Sequence, residues 1–283
     1  MSISTVGIIG SGIMGSGIAE VAAANGYSVI LRSRSQEAAD AMVAGISKSL
    51  DRQVAKEKRS AEEATQILAR VTATTALSDL TNCDLVLESV VEDLDVKLAL
   101  FRELDAIVAP HAILATNTST LPVAAMAAAT SRPDKVIGIH FFNPAPAMAL
   151  VEIARPLTAS EETFDAALSF AVTCGKEPVA VKDQAGFVVN ALLFPYLNNA
   201  IRLLESGVAT KEGIDAAMRG GCNFPMGPLA LLDLVGLDTS LAILDALYEE
   251  FGDPNYRAIP LLRRMVSAGQ LGRKTGRGFY DYS

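Results

Sequence analysis

The chain has 283 residues, 50% hydrophobic and 20% charged, with a formal net charge of −8. This is a globular composition with enough length for a large core and two domains, and its acidic balance excludes a general nucleic-acid surface. No apolar run is long enough to span a bilayer, so no membrane is expected as a partner, and the start Met1-Ser2-Ile3-Ser4-Thr5 lacks the pattern of a secretion signal. The three cysteines, Cys83, Cys174 and Cys222, are odd in number and widely spaced. That spacing argues against a disulfide framework and against a metal site. The expectation is a cytoplasmic protein with reduced thiols.

In chain order, Thr5 to Gly10 is a short apolar strand that runs into Gly10-Ser11-Gly12-Ile13-Met14-Gly15. A helix pattern continues through Ala24, Asn25-Gly26 stops it, and Tyr27 to Leu31 is the next strand. A strand, a glycine-rich turn, a helix and a strand in this order make a dinucleotide site. Gly10 permits the tight turn, Gly12 lets the backbone approach a pyrophosphate, and Gly15 lets helix and strand pack closely. The N–H groups at the helix start favour the phosphate anion. Residues 36–69 read as helical and polar, with Lys48, Arg52, Lys56, Lys58 and Arg59 among acids, a pattern that ordinarily marks a solvated face.

Four further strands are expected at Val71–Ala73, Leu85–Leu87, Ile113–Ala115 and Val136–Ile139, with helices between them, notably Val96 to Val108. Alternation of this kind means a parallel sheet covered on both faces. One of only two histidines, His140, closes the run from Val136, before Asn143-Pro144-Ala145-Pro146 ends the ladder. It therefore stands near the carboxyl end of a core strand, where open α/β sheets bind ligands. The next apolar run, Ala149 to Ile153, carries one charge, Glu152. A carboxylate there needs a partner, and His140 is the nearby one with chemistry to offer. On the pair alone, a general acid/base couple and a structural His beside a surface Glu are equally good readings. Leu150–Ile153 and Pro178–Val181 read as later strands around a helix at Glu161–Thr173. After Gly186 the pattern becomes helical at 187–204, 211–218, 229–234, 239–251 and 259–268. The last residues, from Gly276 to Tyr282, look like a tail that packs its aromatics.

Six stretches together resemble one family: Gly-Ser-Gly-Ile-Met-Gly-Ser-Gly at 10–17, Asn117-Thr118-Ser119, His140-Phe-Phe-Asn-Pro, Gly186-Phe-Val-Val-Asn190, Pro225-Met-Gly-Pro-Leu and Leu271-Gly-Arg-Lys-Thr-Gly-Arg-Gly-Phe-Tyr. In this order and spacing the chain is similar to the short-chain 3-hydroxyacyl-CoA dehydrogenases, the bacterial 3-hydroxybutyryl-CoA enzymes most of all. The resemblance covers essentially the whole length. It implies a Rossmann-type, mostly parallel α/β sheet domain over residues 1–184, then an all-α substrate and dimerisation domain over 185–283. It also implies an acyl-CoA thioester substrate. The apolar face of 187–204 and the apolar character of 229–247, more than a small helical domain needs for its own core, point to a homodimer formed through the helices.

The family's roles carry over by position. His140 matches the catalytic acid/base and Glu152 its orienting carboxylate. Ser119 and Asn190 match substrate-holding groups, with a turn residue and a helix-end residue as their plainer readings. Gly10, Gly12, Ile13, Met14 and Gly15 match the cofactor turn, and Glu92, Lys97, Asn117 and Asn143 match other cofactor-side positions. Arg52 and Lys56 match basic positions that meet the CoA phosphates. The sequence departs from the family at the end of the second strand, Leu31-Arg32-Ser33-Arg34-Ser35. Ser33 stands where the family has an acid for the adenosine ribose. An acid would repel a 2′-phosphate, whereas Ser33 and Arg34 would accept it, so NADP is expected ahead of NAD. Asn223-Phe224 is a second departure, with no function attached. Two alternatives stay open: the same chemistry on an acyl-carrier-protein thioester or a free hydroxy acid, and a non-catalytic dinucleotide-binding protein.

Overall fold

The structure, a computed structural model, describes residues 2–282 and separates into two compact units, Met1–Asp183 and Gln184–Ser283. The first is built on β1 (Thr5–Ile9), β2 (Ser28–Arg32), β3 (Val71–Thr74), β4 (Leu85–Glu88), β5 (Ile113–Thr116), β6 (Val136–Phe141), β7 (Leu150–Arg155) and β8 (Glu177–Lys182). They form one sheet in the order β3-β2-β1-β4-β5-β6-β7-β8. Every pairing is parallel except β6 with β7. That exception has a simple cause. Residues 142–149 connect β6 to β7 without a helix, and so short a connection returns the chain antiparallel.

Helices α1 (Ile13–Ala24), α2 (Gln36–Ala55), α3 (Ala61–Ala69), α4 (Leu94–Ile107), α5 (Val123–Ala128) and α6 (Glu161–Thr173) accompany the sheet. Ile8, Ile18, Leu31, Leu87, Ile139 and Phe170 belong to one buried cluster. The stretch 36–69, expected to be helical, is two helices. The Glu57 N–H donates to Val54 O at 2.9 Å with Glu57 at φ 56°, which ends α2 in a left-handed turn. Ser60 and Glu63 then start α3 with a capping box.

The second unit contains α7 (Val189–Glu205), α8 (Lys211–Cys222), α9 (Pro228–Val235), α10 (Leu237–Phe251) and α11 (Pro260–Ser267), around a core that includes Phe194, Leu197, Leu232, Leu244 and Leu247. The first helix starts at Val189, later than the apolar pattern suggests, because Gly186 and Phe187 take φ of 74° and 45°. The aromatic tail is tied down by a buried carboxylate. Asp233 accepts the N–H of Phe279 at 2.9 Å and of Tyr280 at 2.8 Å, and the Tyr282 hydroxyl at 3.1 Å. Among the described residues no helix is long and apolar enough to cross a membrane, and no cluster of side chains could hold a metal ion.

Cys83 and Cys174 are buried and Cys222 is exposed. Burial pushes the Cys83 and Cys174 thiols up to about 12, which removes the reactive thiolate at neutral pH. The native protein should therefore titrate one thiol rapidly with a disulfide reagent, and all three only after denaturation. Rapid native titration of a second thiol would contradict this.

Candidate active site

The cofactor turn follows directly from backbone geometry. Gly10, after β1, has φ 131°, and a Cβ there would lie 2.2 Å from the Ser89 carbonyl oxygen. A Cβ on Gly15 would lie 2.3 Å from the Gly10 oxygen. Both positions therefore require glycine. Gly12 is different, since nothing lies within 4 Å of its missing Cβ. It is the N-cap of α1 and offers no side-chain hydrogen bond to the helix start. Open space against the N–H groups of a helix start fits a pyrophosphate. Ile13 is largely exposed beside this space and Met14 is half-buried.

At the end of β2, the Ser33 N–H donates to Thr74 O at 3.0 Å. Its side chain is 3% exposed, and its buried Oγ has no hydrogen-bond partner. Leaving a buried hydroxyl unsatisfied costs about 1–3 kcal/mol. Arg32 turns its Nε to Thr75 O at 3.3 Å, and Arg34 is exposed.

His140 and Glu152 face each other across the antiparallel pair of β6 and β7. The register places the two residues directly opposite, with His140 Nδ1 2.8 Å from Glu152 Oε2. Both are buried. The Phe142 ring lies 4.5 Å from the imidazole, centroid to centroid. Asn117, just past β5, accepts the Phe141 N–H on Oδ1 at 2.8 Å and so ties the end of β5 to the strand that carries His140.

Lys97 on α4 is buried, and its ammonium meets Glu88 Oε1 at 2.7 Å, Glu88 Oε2 at 3.0 Å and Glu92 Oε2 at 3.2 Å. Glu88 also accepts the Thr116 hydroxyl and the Val90 N–H. Glu92 accepts the N–H of Ser119 at 3.0 Å and of Thr120 at 3.3 Å, and the Thr118 hydroxyl. The sequence put Glu92 and Lys97 together on the cofactor side and did not single out Glu88. The signal was a charge closing the apolar run from Leu85, with Lys97 9 positions further on.

The cluster folds the segment that carries Asn117 and Ser119. Burial raises the Glu92 carboxyl, but Lys97, the Thr118 hydroxyl and the Ser119 N–H outweigh it, so the group lies below the ordinary carboxylate range. A depressed carboxyl contributes its stability above its unfolded value and loses it as pH falls through its folded value. Glu88→Ala leaves the buried Lys97 short of its counter-charge, and such a loss costs about 3–5 kcal/mol. Urea unfolding should show it, and a cost within experimental error of zero would refute the assignment of the cluster as a stabilising unit.

The remaining expected residues lie elsewhere. Asn143 is exposed in the connection after β6, and Ser119 is half-buried. Arg52 and Lys56 are exposed at the end of α2, four residues apart and so on one face, with Arg52 Nε on Lys48 O at 3.2 Å. Asn190 is buried at the start of α7 in the helical unit.

Residues 5–184 match the family described as 3-hydroxyacyl-CoA dehydrogenase, NAD binding domain, and residues 186–282 match its C-terminal domain. The chain belongs to the 3-hydroxyacyl-CoA dehydrogenase family. Among its relatives in that family, a 3-hydroxybutyryl-CoA dehydrogenase of Clostridioides difficile is 49% identical over 276 residues, 98% of each chain. One of Mycobacterium tuberculosis is 50% identical over 287 residues, 99% of each. The crystal structure of (S)-3-hydroxybutyryl-CoA dehydrogenase PaaH1 from Ralstonia eutropha matches with a TM-score of 0.97 at 47% identity, over 100% of both chains. The two 3-hydroxyacyl-CoA dehydrogenase matches fall on the two compact units of the fold.

Proposed function

We propose that the protein interconverts a 3-hydroxyacyl-CoA and the corresponding 3-ketoacyl-CoA, with 3-hydroxybutyryl-CoA and acetoacetyl-CoA as the pair. The observation that carries this reading is the buried His140–Glu152 pair at the carboxyl end of β6, on a sheet whose first turn fits a dinucleotide. When bound, the nicotinamide exchanges a hydride with C3 of the substrate. In the oxidising direction His140 takes the proton of the 3-hydroxyl as C3 gives up that hydride. In the reducing direction the imidazolium returns the proton to the carbonyl oxygen. Glu152 holds Nδ1, so proton exchange with the substrate falls to Nε2. The carboxylate also stabilises the charged ring, which favours uptake of the proton. Ser119 and Asn190 are assigned to the reacting oxygen or the thioester carbonyl, and Arg52 and Lys56 to the CoA phosphates. Glu92, Lys97, Asn117 and Asn143 are assigned to the cofactor side. Glu92 keeps an exposed edge, whereas Lys97 is buried against its carboxylates. Lys97 therefore acts by holding Glu92.

The same reading takes NADPH ahead of NADH, with NAD as a possible cofactor, because the orphaned Ser33 hydroxyl and Arg34 suit a 2′-phosphate. It places the enzyme in the cytoplasm. The test is turnover of 3-ketoacyl thioesters of increasing chain length with each reduced cofactor, alongside the carrier-protein thioester and the free acid. Turnover confined to the free acid, or absent throughout, would overturn the CoA assignment.

We also infer a homodimer through the helical unit. Val188, Leu192, Leu203 and Leu234 are 46%, 72%, 44% and 49% exposed there, which is more apolar surface than one small helical unit needs to show. Light scattering at micromolar concentration should give twice the chain mass, and a monomer would refute the inference.

A further inference from the structure

Lys176 is a buried cation with no part in the chemistry above. It follows α6, where its N–H donates to Ala171 O at 3.0 Å, and its side chain runs inward with the residue 9% exposed. Its ammonium donates to Ala145 O at 2.7 Å and Met148 O at 2.8 Å. Both acceptors are main-chain carbonyls of one segment, the connection between His140's strand and Glu152's strand. Burying an ammonium against neutral acceptors is costly, and a neutral side chain would fill the same space at lower cost. The charge is explained by what it holds.

The segment it holds is a closed turn. The N–H groups of Ala147 and Met148 donate to Pro144 O at 2.9 and 3.1 Å. It also rests on α1. A Cβ on Gly17 would lie 3.2 Å from Ala145 Cβ and 3.3 Å from Pro146 Cδ. The turn therefore sits on bare helix, in the helix whose start fits the pyrophosphate. At its front stand Asn143 and Phe142, and Phe142 packs on the His140 ring. Lys176 and Gly17 thus both bear on the segment that joins α1, at whose start the pyrophosphate fits, to the residues beside the imidazole.

We propose that Lys176 is a positioning residue for the nicotinamide half of the cofactor. It fixes residues 144–148 against α1, and so fixes where the nicotinamide ring lies relative to His140. This rests on the reading that the Gly10–Gly15 turn binds a dinucleotide.

The test uses the full chain and three variants: Lys176→Met, which removes the charge and keeps the length, Lys176→Arg, and Gly17→Ala, which presses on the same turn from α1. Binding is followed by the nicotinamide fluorescence of NADPH and NADH. ADP and 2′,5′-ADP, as competitors, report the adenosine half alone. In Lys176→Met and in Gly17→Ala the Kd for the reduced dinucleotide should rise about tenfold, the equivalent of about 1.4 kcal/mol. The Kd of the adenosine compounds should stay at the wild-type value, and Lys176→Arg should recover part of the loss. Alanine favours helix more than glycine does, so Gly17→Ala carries the test if Lys176→Met fails to fold. Wild-type dinucleotide affinity in the folded variants, or equal weakening of dinucleotide and adenosine compounds, would overturn the proposal. A wild-type chain that binds neither class would instead overturn the cofactor reading beneath it.

Discussion

Replacing His140 by Gln is expected to lower kcat by about 10²–10⁴-fold, the usual contribution of a positioned acid/base group, while cofactor affinity stays at the wild-type value. The imidazole at this strand end can take up and return a proton with Glu152 behind it at 2.8 Å. Gln fills a similar volume and cannot titrate. The Gly10–Gly15 turn belongs to β1 and α1 and is untouched by the change. Glu152→Gln should also cost on the order of 10²-fold in kcat, because it removes the charge that supports the imidazolium and frees the ring to turn. Its pH–rate profile should change, since a neutral amide replaces the charge beside the ring. Near wild-type turnover in His140→Gln would remove the assignment, and an unmoved profile in Glu152→Gln would remove the partnership.

The second large effect concerns the cofactor. Wild type is expected to favour NADPH over NADH by about tenfold to a hundredfold in kcat/KM, or roughly 1.5–3 kcal/mol. Ser33 contributes in two ways. It leaves out the carboxylate that would repel a 2′-phosphate, and its buried Oγ, without a partner in the fold, is a donor waiting for an acceptor. Arg34 is exposed, so solvent screens its charge and its share is the smaller one. Arg32 is turned to the Thr75 carbonyl and adds only potential. Ser33→Asp combined with Arg34→Ile should reverse the preference. A wild type that prefers NADH, or a double variant with the same ratio, would show that residues 32–35 do not set cofactor choice.

Much of this protein could be read along the chain because the relevant causes are local. The turn at Gly10, Gly12 and Gly15 joins neighbouring elements, and its geometry depends on missing Cβ atoms within a few residues. The mostly parallel sheet followed by helices was legible for the same reason, from strand and helix patterns that alternate and then stop alternating. The division of 36–69 into two helices was legible too, in Ser60 and Glu63, but was read over as one polar pattern.

Other features depended on contacts that sequence order does not show. A carboxylate at 152 in an apolar run asks for a partner, but only the antiparallel register sets it opposite His140, 12 positions away. Glu88 stands just past the strand expected at Leu85–Leu87 and shows its role only where Lys97 and Thr116 close on it from α4 and β5, 9 and 28 positions distant. Lys176 gave no local sign of holding Ala145, 31 positions back. Ser33 could be seen to replace an acid, yet its burial without a partner is a property of the packed strands around it. The physical division is between short-range and long-range terms. Backbone freedom, capping and apolar period act within a few residues and are written in the sequence itself. The cost of burying a charge or hydroxyl is met by groups that only the folded sheet brings within hydrogen-bond distance.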